Sequence, residues 1–222
     1  IMTAGAGGAA AAPDPTDGGR DPRRVPENWR ELVDPSEWAL NHEGLPFRRA
    51  ARVIVLRDVP APAVLLVIGH DFADAERSWA FTPGGGTMPG ESSKHAALRE
   101  LAEETGVHLT AADLEGPVIE RTARFAFNLV TCRQDELFYL ARLDARAAAR
   151  ADASRGEDGQ MDRSGWTAVE RDVLDSLRWW PLDELDAAVG AGMIVYPGSL
   201  PALARALLRG WDGTLLTIRE ED

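Results

Sequence analysis

One cysteine, Cys132, in 222 residues excludes an internal disulfide framework and any cysteine-rich zinc site. Histidine is nearly as scarce. His42, His70, His95 and His108 show no metal-ligand spacing, so each reads as a surface or core residue. No run approaches the roughly 18 apolar residues of a membrane span. The Ala/Gly-rich start has neither the basic n-region nor the Leu/Ile/Val/Phe-rich h-region of a signal peptide. The expectation is a cytoplasmic protein with no membrane partner. Basic residues are outnumbered, 24 Lys and Arg against 36 Asp and Glu, for a net charge of -12. That balance argues against a nucleic acid polymer as ligand, because phosphate-backbone affinity needs clustered Lys and Arg. A small anion escorted by a divalent metal stays compatible with it.

The chain is 45% hydrophobic, enough for a proper core, and its length suits one domain with extensions. Residues 1–24 offer almost nothing to bury and read as a flexible tail. From 25 to 47, Trp29, Leu32, Trp38 and Leu40 recur among charges. This extension is expected to pack on the domain or across a partner subunit in a homodimer. The main domain runs from 48 to 222. Residues 48–57 (RRAARVIVLR) and 63–68 (AVLLVI) predict a strand pair joined by the turn at 58–62. Residues 70–77 (HDFADAER) read as a polar loop leading to a short strand with Trp79 and Phe81. Further strands are expected at 118–129, 136–143 and 177–180, with Cys132 in a turn between the first two. Residues 144–173 are the least organised inner stretch. Helices are expected after Pro181 and from Leu200 to Arg209, and residues 211–219 could form a terminal strand.

Function concentrates between Trp79 and Val107 (WAFTPGGGTMPGESSKHAALRELAEETGV). A Pro-Gly-Gly-Gly turn, Pro83 to Gly86, is followed by a loop ending in Glu91 and then a helix. Ser92 is the candidate N-cap of that helix, Ala97, Leu98 and Leu101 form its apolar stripe, and Gly106 stops it. Glu100, Glu103 and Glu104 fall within roughly a 100° arc beside the stripe. Three carboxylates on one face repel one another, and a cation removes that penalty. All-oxygen ligands favour a hard ion, so Mg2+ is the first choice and Mn2+ the second. Arg99, four residues before Glu103, is placed to pair with it.

Gly85, five residues, Glu91, seven residues, then Arg99-Glu100-Leu101, one residue, Glu103-Glu104, one residue, and Gly106-Val107 resembles a complete Nudix box. The resemblance is specific over Trp79 to Val107 and looser from Arg48 to Arg209. It implies an α/β fold, an α/β/α sandwich around a mixed β-sheet, and metal-dependent hydrolysis of a nucleoside diphosphate linked to another moiety. Carried over by position, it makes Glu100 and Glu104 metal ligands, Glu103 a third ligand or the water-orienting base, and the Gly84 carbonyl a backbone ligand. Glu91 and Arg99 would fix the rotamers of those ligands. Glu170, on the stretch before the later strand, is a further candidate base or ligand. Outside the box, Arg121 shares a strand face with Phe125 and Phe127, a combination suited to a phosphate and a base. A nucleoside triphosphate and an ADP-ribose-like nucleotide sugar are the leading substrates, in no firm order. A non-catalytic nucleotide-sensing module is the alternative, although the box carboxylates are complete. An isomerase in the same fold would need a reactive cysteine, for which Cys132 is the sole candidate.

Overall fold

The computed structural model describes residues 19–71, 74–153 and 174–221. Its spine is β2 (Pro46–Arg57). Residues Val53 to Leu56 are buried on both faces. Ala51, Val53 and Val55 enter one hydrophobic cluster, and Ile54 and Leu56 enter the opposite one, following the two-residue period of a strand covered on both sides. One edge of β2 pairs in parallel with β7 (Val130–Leu143), from Phe47 opposite Arg133 to Arg57 opposite Leu143. Its other edge is shared by three antiparallel partners in succession: β1 (Ala39–Leu40), β5 (Gly84–Gly86) and the start of β3 (Ala63–Asp71).

Beyond β7 the sheet continues antiparallel to β6 (Glu115–Phe127) and then parallel to β10 (Leu216–Glu221). Beyond β3 it reaches β4 (Asp74–Phe81) and the parallel β9 (Ile194–Tyr196), while β8 (Leu174–Pro181) also pairs with β3. The result is a mixed ten-stranded sheet. Helices α2 (Ser93–Thr105) and α3 (Ala145–Ala153) cover one face through Ala96, Ala97, Leu101 and Ala148. Helices α4 (Leu182–Gly190) and α5 (Leu200–Leu208) cover the other through Leu182, Leu185, Leu200, Ala204 and Leu207. The expected α/β/α sandwich is therefore present. Among the described residues no helix is long and apolar enough to cross a membrane.

A third cluster joins the N-terminal segment to the end of the β6–β7 hairpin. Trp29, in the short helix α1 (Trp29–Leu32), packs with Val25, Val33, Trp38 and Leu45 against Val130 and Cys132, flanked by Phe125 and Phe127. The hairpin turns through Asn128 and Leu129, both at positive φ, the conformation that a tight two-residue hairpin demands. Asn128 Nδ2 donates to the Leu32 carbonyl at 3.1 Å, tying the turn to the segment.

Four expectations change. Residues 70–77 are not a loop: β3 runs through Asp71 and β4 starts at Asp74, with His70 paired to Ser78. Backbone pairing set by the neighbouring strands overrides the polarity of these side chains. The glycines after Pro83 do not only turn the chain but form β5, in register with Ala50, Ala51 and Arg52. Cys132 lies within β7 opposite Phe125, fully buried, rather than in a turn. Finally, the stretch after Asp144 opens with helix α3. Glu170 and its surroundings lie outside the described residues.

Candidate active site

Helix α2 presents the acids because both of its ends are fixed. The Ser92 hydroxyl accepts from the His95 N–H at 3.3 Å, and Gly106, at φ 69, closes the helix with its N–H on the Ala102 carbonyl at 2.9 Å. This is the left-handed stop that glycine allows without a Cβ penalty. The face turned to β2 and β5 carries Ala97 and Leu101 together with Glu100 and Glu104, which are only 8% and 4% exposed. Acids buried this far need specific partners. The Gly84 N–H donates to Glu104 Oε2 at 2.8 Å. A Cβ on Gly85 would stand 2.7–2.8 Å from the Glu100 carboxylate atoms, so glycine is what lets that carboxylate sit against the strand. Gly84, at φ +145, has equally little room, since its Cβ would lie 2.3 Å from the Ala51 carbonyl oxygen.

Arg99 gathers the rest. Its Nε and Nη2 hold the two oxygens of Glu91, each at 3.0 Å. Nη2 also donates to the Gly86 carbonyl at 2.9 Å, while Nη1 reaches Glu100 Oε1 at 2.7 Å and Glu103 Oε2 at 3.1 Å. One guanidinium thus ties the loop, the glycine strand and two helix acids together. The bond to Arg99 is the main cause that holds the Glu91 carboxyl below its usual range, against an opposing effect of burial. Hydrogen bonding to Glu91 first, and the charge of Glu100 among the further causes, raise the Arg99 guanidinium. Glu103 is the open member of the set, its side chain 47% exposed.

Gly84, Gly85, Glu91, Arg99, Glu100, Glu103 and Glu104 are therefore brought together. Arg121, Phe125 and Phe127 belong to other surroundings. Arg121 is buried, paired with Glu136 and Glu220 and lying over the Tyr196 ring at 5.5 Å. Phe125 meets Trp38 edge-on, ring centroids 6.3 Å apart, and Phe127 packs on the same N-terminal cluster. Two neighbours of the site, Arg52 and Glu136, were not foreseen. Arg52 donates to the Thr82 and Gly84 carbonyls at 3.0 and 3.1 Å and pairs with Glu136. The signal was an arginine inside the apolar run of β2, which is costly unless it has buried partners.

The donor set is hard oxygen throughout, and it suits Mg2+ or Mn2+. Among the described residues no three His, Cys, Asp or Glu side chains form a ready cage. Glu100 and Glu104 could hold a hard cation through one or two carboxylates, with waters completing its shell, the usual habit of Mg2+.

Two curated relatives align over about a third of this chain. An RNA pyrophosphohydrolase of Sphingopyxis alaskensis is 34% identical over 76 residues, which is 34% of this chain and 44% of the relative. One of Erythrobacter litoralis is 39% identical over 75 residues, 33% of this chain and 43% of the relative. The matched stretch thus spans less than half the length of either relative. Among solved structures, an Alicyclobacillus acidocaldarius NUDIX hydrolase aligns over 74% of this chain and 92% of its own, at 18% identity and a TM-score of 0.48. A C. elegans Ap4A hydrolase complex aligns over 74% and 99%, at 20% identity and a TM-score of 0.46. The model of the NUDIX domain matches residues 46–195, from the start of β2 to β9 and so more than half of the chain. By that match, which takes in the glycine strand and the acidic helix, the chain belongs to the NUDIX domain family.

Proposed function

We propose that this protein is a divalent-metal-dependent pyrophosphohydrolase that cleaves a nucleoside diphosphate linked to another moiety by attack of water on phosphorus. The observation that carries the reading is the pair of buried carboxylates, Glu100 and Glu104, set against the Gly84–Gly85 backbone. Charge builds on the non-bridging and leaving oxygens of a diphosphate under attack, and an ion held at this site, Mg2+ by choice, would supply the neutralisation.

Glu100 and Glu104 would hold that ion with the Gly84 carbonyl. Glu103, the most exposed of the three acids, would serve as third ligand or orient the attacking water. Arg99 and Glu91 are positioning residues, since they fix the rotamers of Glu100 and Glu103. Glu170 stays in the proposal as a second candidate base. Arg121 would bind a phosphate only by exchanging Glu136 or Glu220 for it, and Phe125 and Phe127 would offer ring surface that the N-terminal cluster leaves uncovered. The substrate is placed among nucleoside triphosphates and ADP-ribose-like nucleotide sugars, handled by a cytoplasmic enzyme. The relatives' name adds RNA to the substrates worth testing.

The test is product analysis over nucleoside triphosphates, nucleotide sugars, dinucleoside polyphosphates and a short RNA with a 5′-triphosphate, each with Mg2+ and with Mn2+. Metal-dependent turnover of one class is the expected result. Nucleotide binding without turnover of any compound would instead support a sensing module.

A further inference from the structure

Three successive carbonyls at the mouth of the glycine strand are all claimed by β2. The Val53 N–H donates to the Pro83 carbonyl at 2.9 Å. On either side of it, Arg52 Nη1 donates to the Thr82 carbonyl at 3.0 Å and the Gly84 carbonyl at 3.1 Å. The Gly84 N–H is engaged as well, on Glu104 Oε2. Gly84 is thus pinned between an acid of α2 and a guanidinium of β2. With φ +145 and no side chain, it has more conformational freedom to lose than any other residue type. The β2–β5 pairing holds the backbone here, and Arg52 adds a hydrogen bond on the Gly84 carbonyl itself.

Arg52 is itself aimed from behind. Its Nε pairs with Glu136 Oε1, an oxygen that also accepts from Gln134 Nε2 at 2.6 Å, while Glu136 Oε2 takes Arg121 Nη1. The Glu136 side chain is wholly buried, so these three donors leave it one orientation. Gln134 is oriented in turn by Arg48, whose Nε donates to Gln134 Oε1 at 2.5 Å and whose Nη1 is held by Glu37 of the N-terminal segment. A chain of polar contacts therefore runs from Glu37 to the Gly84 carbonyl across three strands. A planar guanidinium can face Glu136 and two carbonyls at once, which an ammonium on a lysine stem cannot do in the same geometry.

We propose that Arg52 is a positioning residue of the metal site, directing the Gly84 carbonyl through its fork to Thr82 and Gly84 while Glu136 holds it in place. The inference rests on the reading of Glu100, Glu104 and Gly84 as metal donors. A carbonyl oxygen has two lone pairs, so a guanidinium on one leaves the other for a cation. Arg52 acts through the backbone and needs no contact with the substrate.

The test is Mn2+ binding measured by electron paramagnetic resonance, without substrate, on wild type and four variants whose folding is checked by circular dichroism. Arg52→Lys keeps the charge beside Glu136 but loses the fork. The double variant Arg52→Met/Glu136→Gln removes both charges together and so avoids a lone buried one. Both are expected to bind Mn2+ about tenfold more weakly or worse, the usual cost of losing a partner behind a metal ligand. Gln134→Met, which removes one of the three donors to Glu136 but leaves Arg52 and the carbonyls in place, should weaken binding less than either Arg52 variant. Glu104→Gln should lose binding. Wild-type affinity in the folded Arg52 variants, with Glu104→Gln impaired, would overturn the role of Arg52 and leave the metal reading standing. An equal loss in Gln134→Met would also overturn it, by showing a general disturbance. Wild-type affinity in Glu104→Gln would remove the metal reading and the role of Arg52 with it.

Discussion

Arg99 and Arg52 each gather carboxylate and carbonyl oxygens around one guanidinium, but under different conditions. Arg99 is 22% exposed at the side chain and works among partners close in sequence, Gly86 to Glu103. Arg52 is 12% exposed, its carboxylate partner is fully buried, and that partner lies 84 residues away. Solvent reaches the first network through Glu103, so its ion pairs are screened more than those of the second. The second replaces water altogether, and each of its charges depends on the others. Burial acts against ionisation of Glu136, yet the nearby Arg52 and then Arg121 outweigh it and hold the carboxyl below its ordinary value. The more open network can therefore serve the reaction at less cost to folding, whereas the deeper one is bound up with the fold.

Substitution separates the two. Glu136→Ala leaves the Arg52 and Arg121 guanidiniums without their shared carboxylate and should destabilise the protein by about 3–5 kcal/mol, read from urea unfolding. A loss under about 1 kcal/mol, the range of exposed pairs, would erase the distinction. Arg99→Ala should do the reverse, costing about 1 kcal/mol in stability while lowering turnover about 10–100-fold through misplaced Glu100 and Glu103. A variant that unfolds before it loses activity would contradict that assignment.

Acid sharpens the contrast further. The Glu136 carboxyl is depressed on folding from its ordinary 4.5. Its contribution to stability is thus complete above that value and is lost as pH falls through the lower folded value. Glu136→Gln should flatten the decline in unfolding free energy below pH 4.5, and an acid limb as steep as that of wild type would count against the buried network. The smallest effect is expected at Cys132, where burial pushes the thiol up to about 12. Thiolate is the reactive form, so iodoacetamide should leave the native protein unmodified near neutral pH and react only after unfolding. Rapid native alkylation would reopen the isomerase alternative.

The same contrast explains what could be read from the sequence. Helix α2, its cap at Ser92, its stop at Gly106 and the shared face of Glu100, Glu103 and Glu104 are encoded within fifteen consecutive residues, so helical spacing alone exposes them. The strands at β2 and β3 were equally legible because their apolar runs have no use outside a core. Register was not legible. Nothing local says that Arg52 lies opposite Gly84 or that Glu136 faces Arg121 across β6 and β7, since strand partners far apart in sequence are selected by the whole sheet. The polarity of residues 70–77 misled for the same reason, as pairing with Ser78 rather than side-chain character puts His70 in a strand. Phe125 could not be assigned to the N-terminal cluster without knowing that Trp38 returns to it.

The most direct measurement compares turnover of wild type and Glu104→Gln on the best substrate of the panel, at saturating Mg2+, with matched circular dichroism spectra. A loss of about a hundredfold or more in a folded variant is expected, because a metal held by Glu104 would supply several kcal/mol of charge stabilisation. Near wild-type turnover in Glu104→Gln would contradict the placing of the reaction on this helix face.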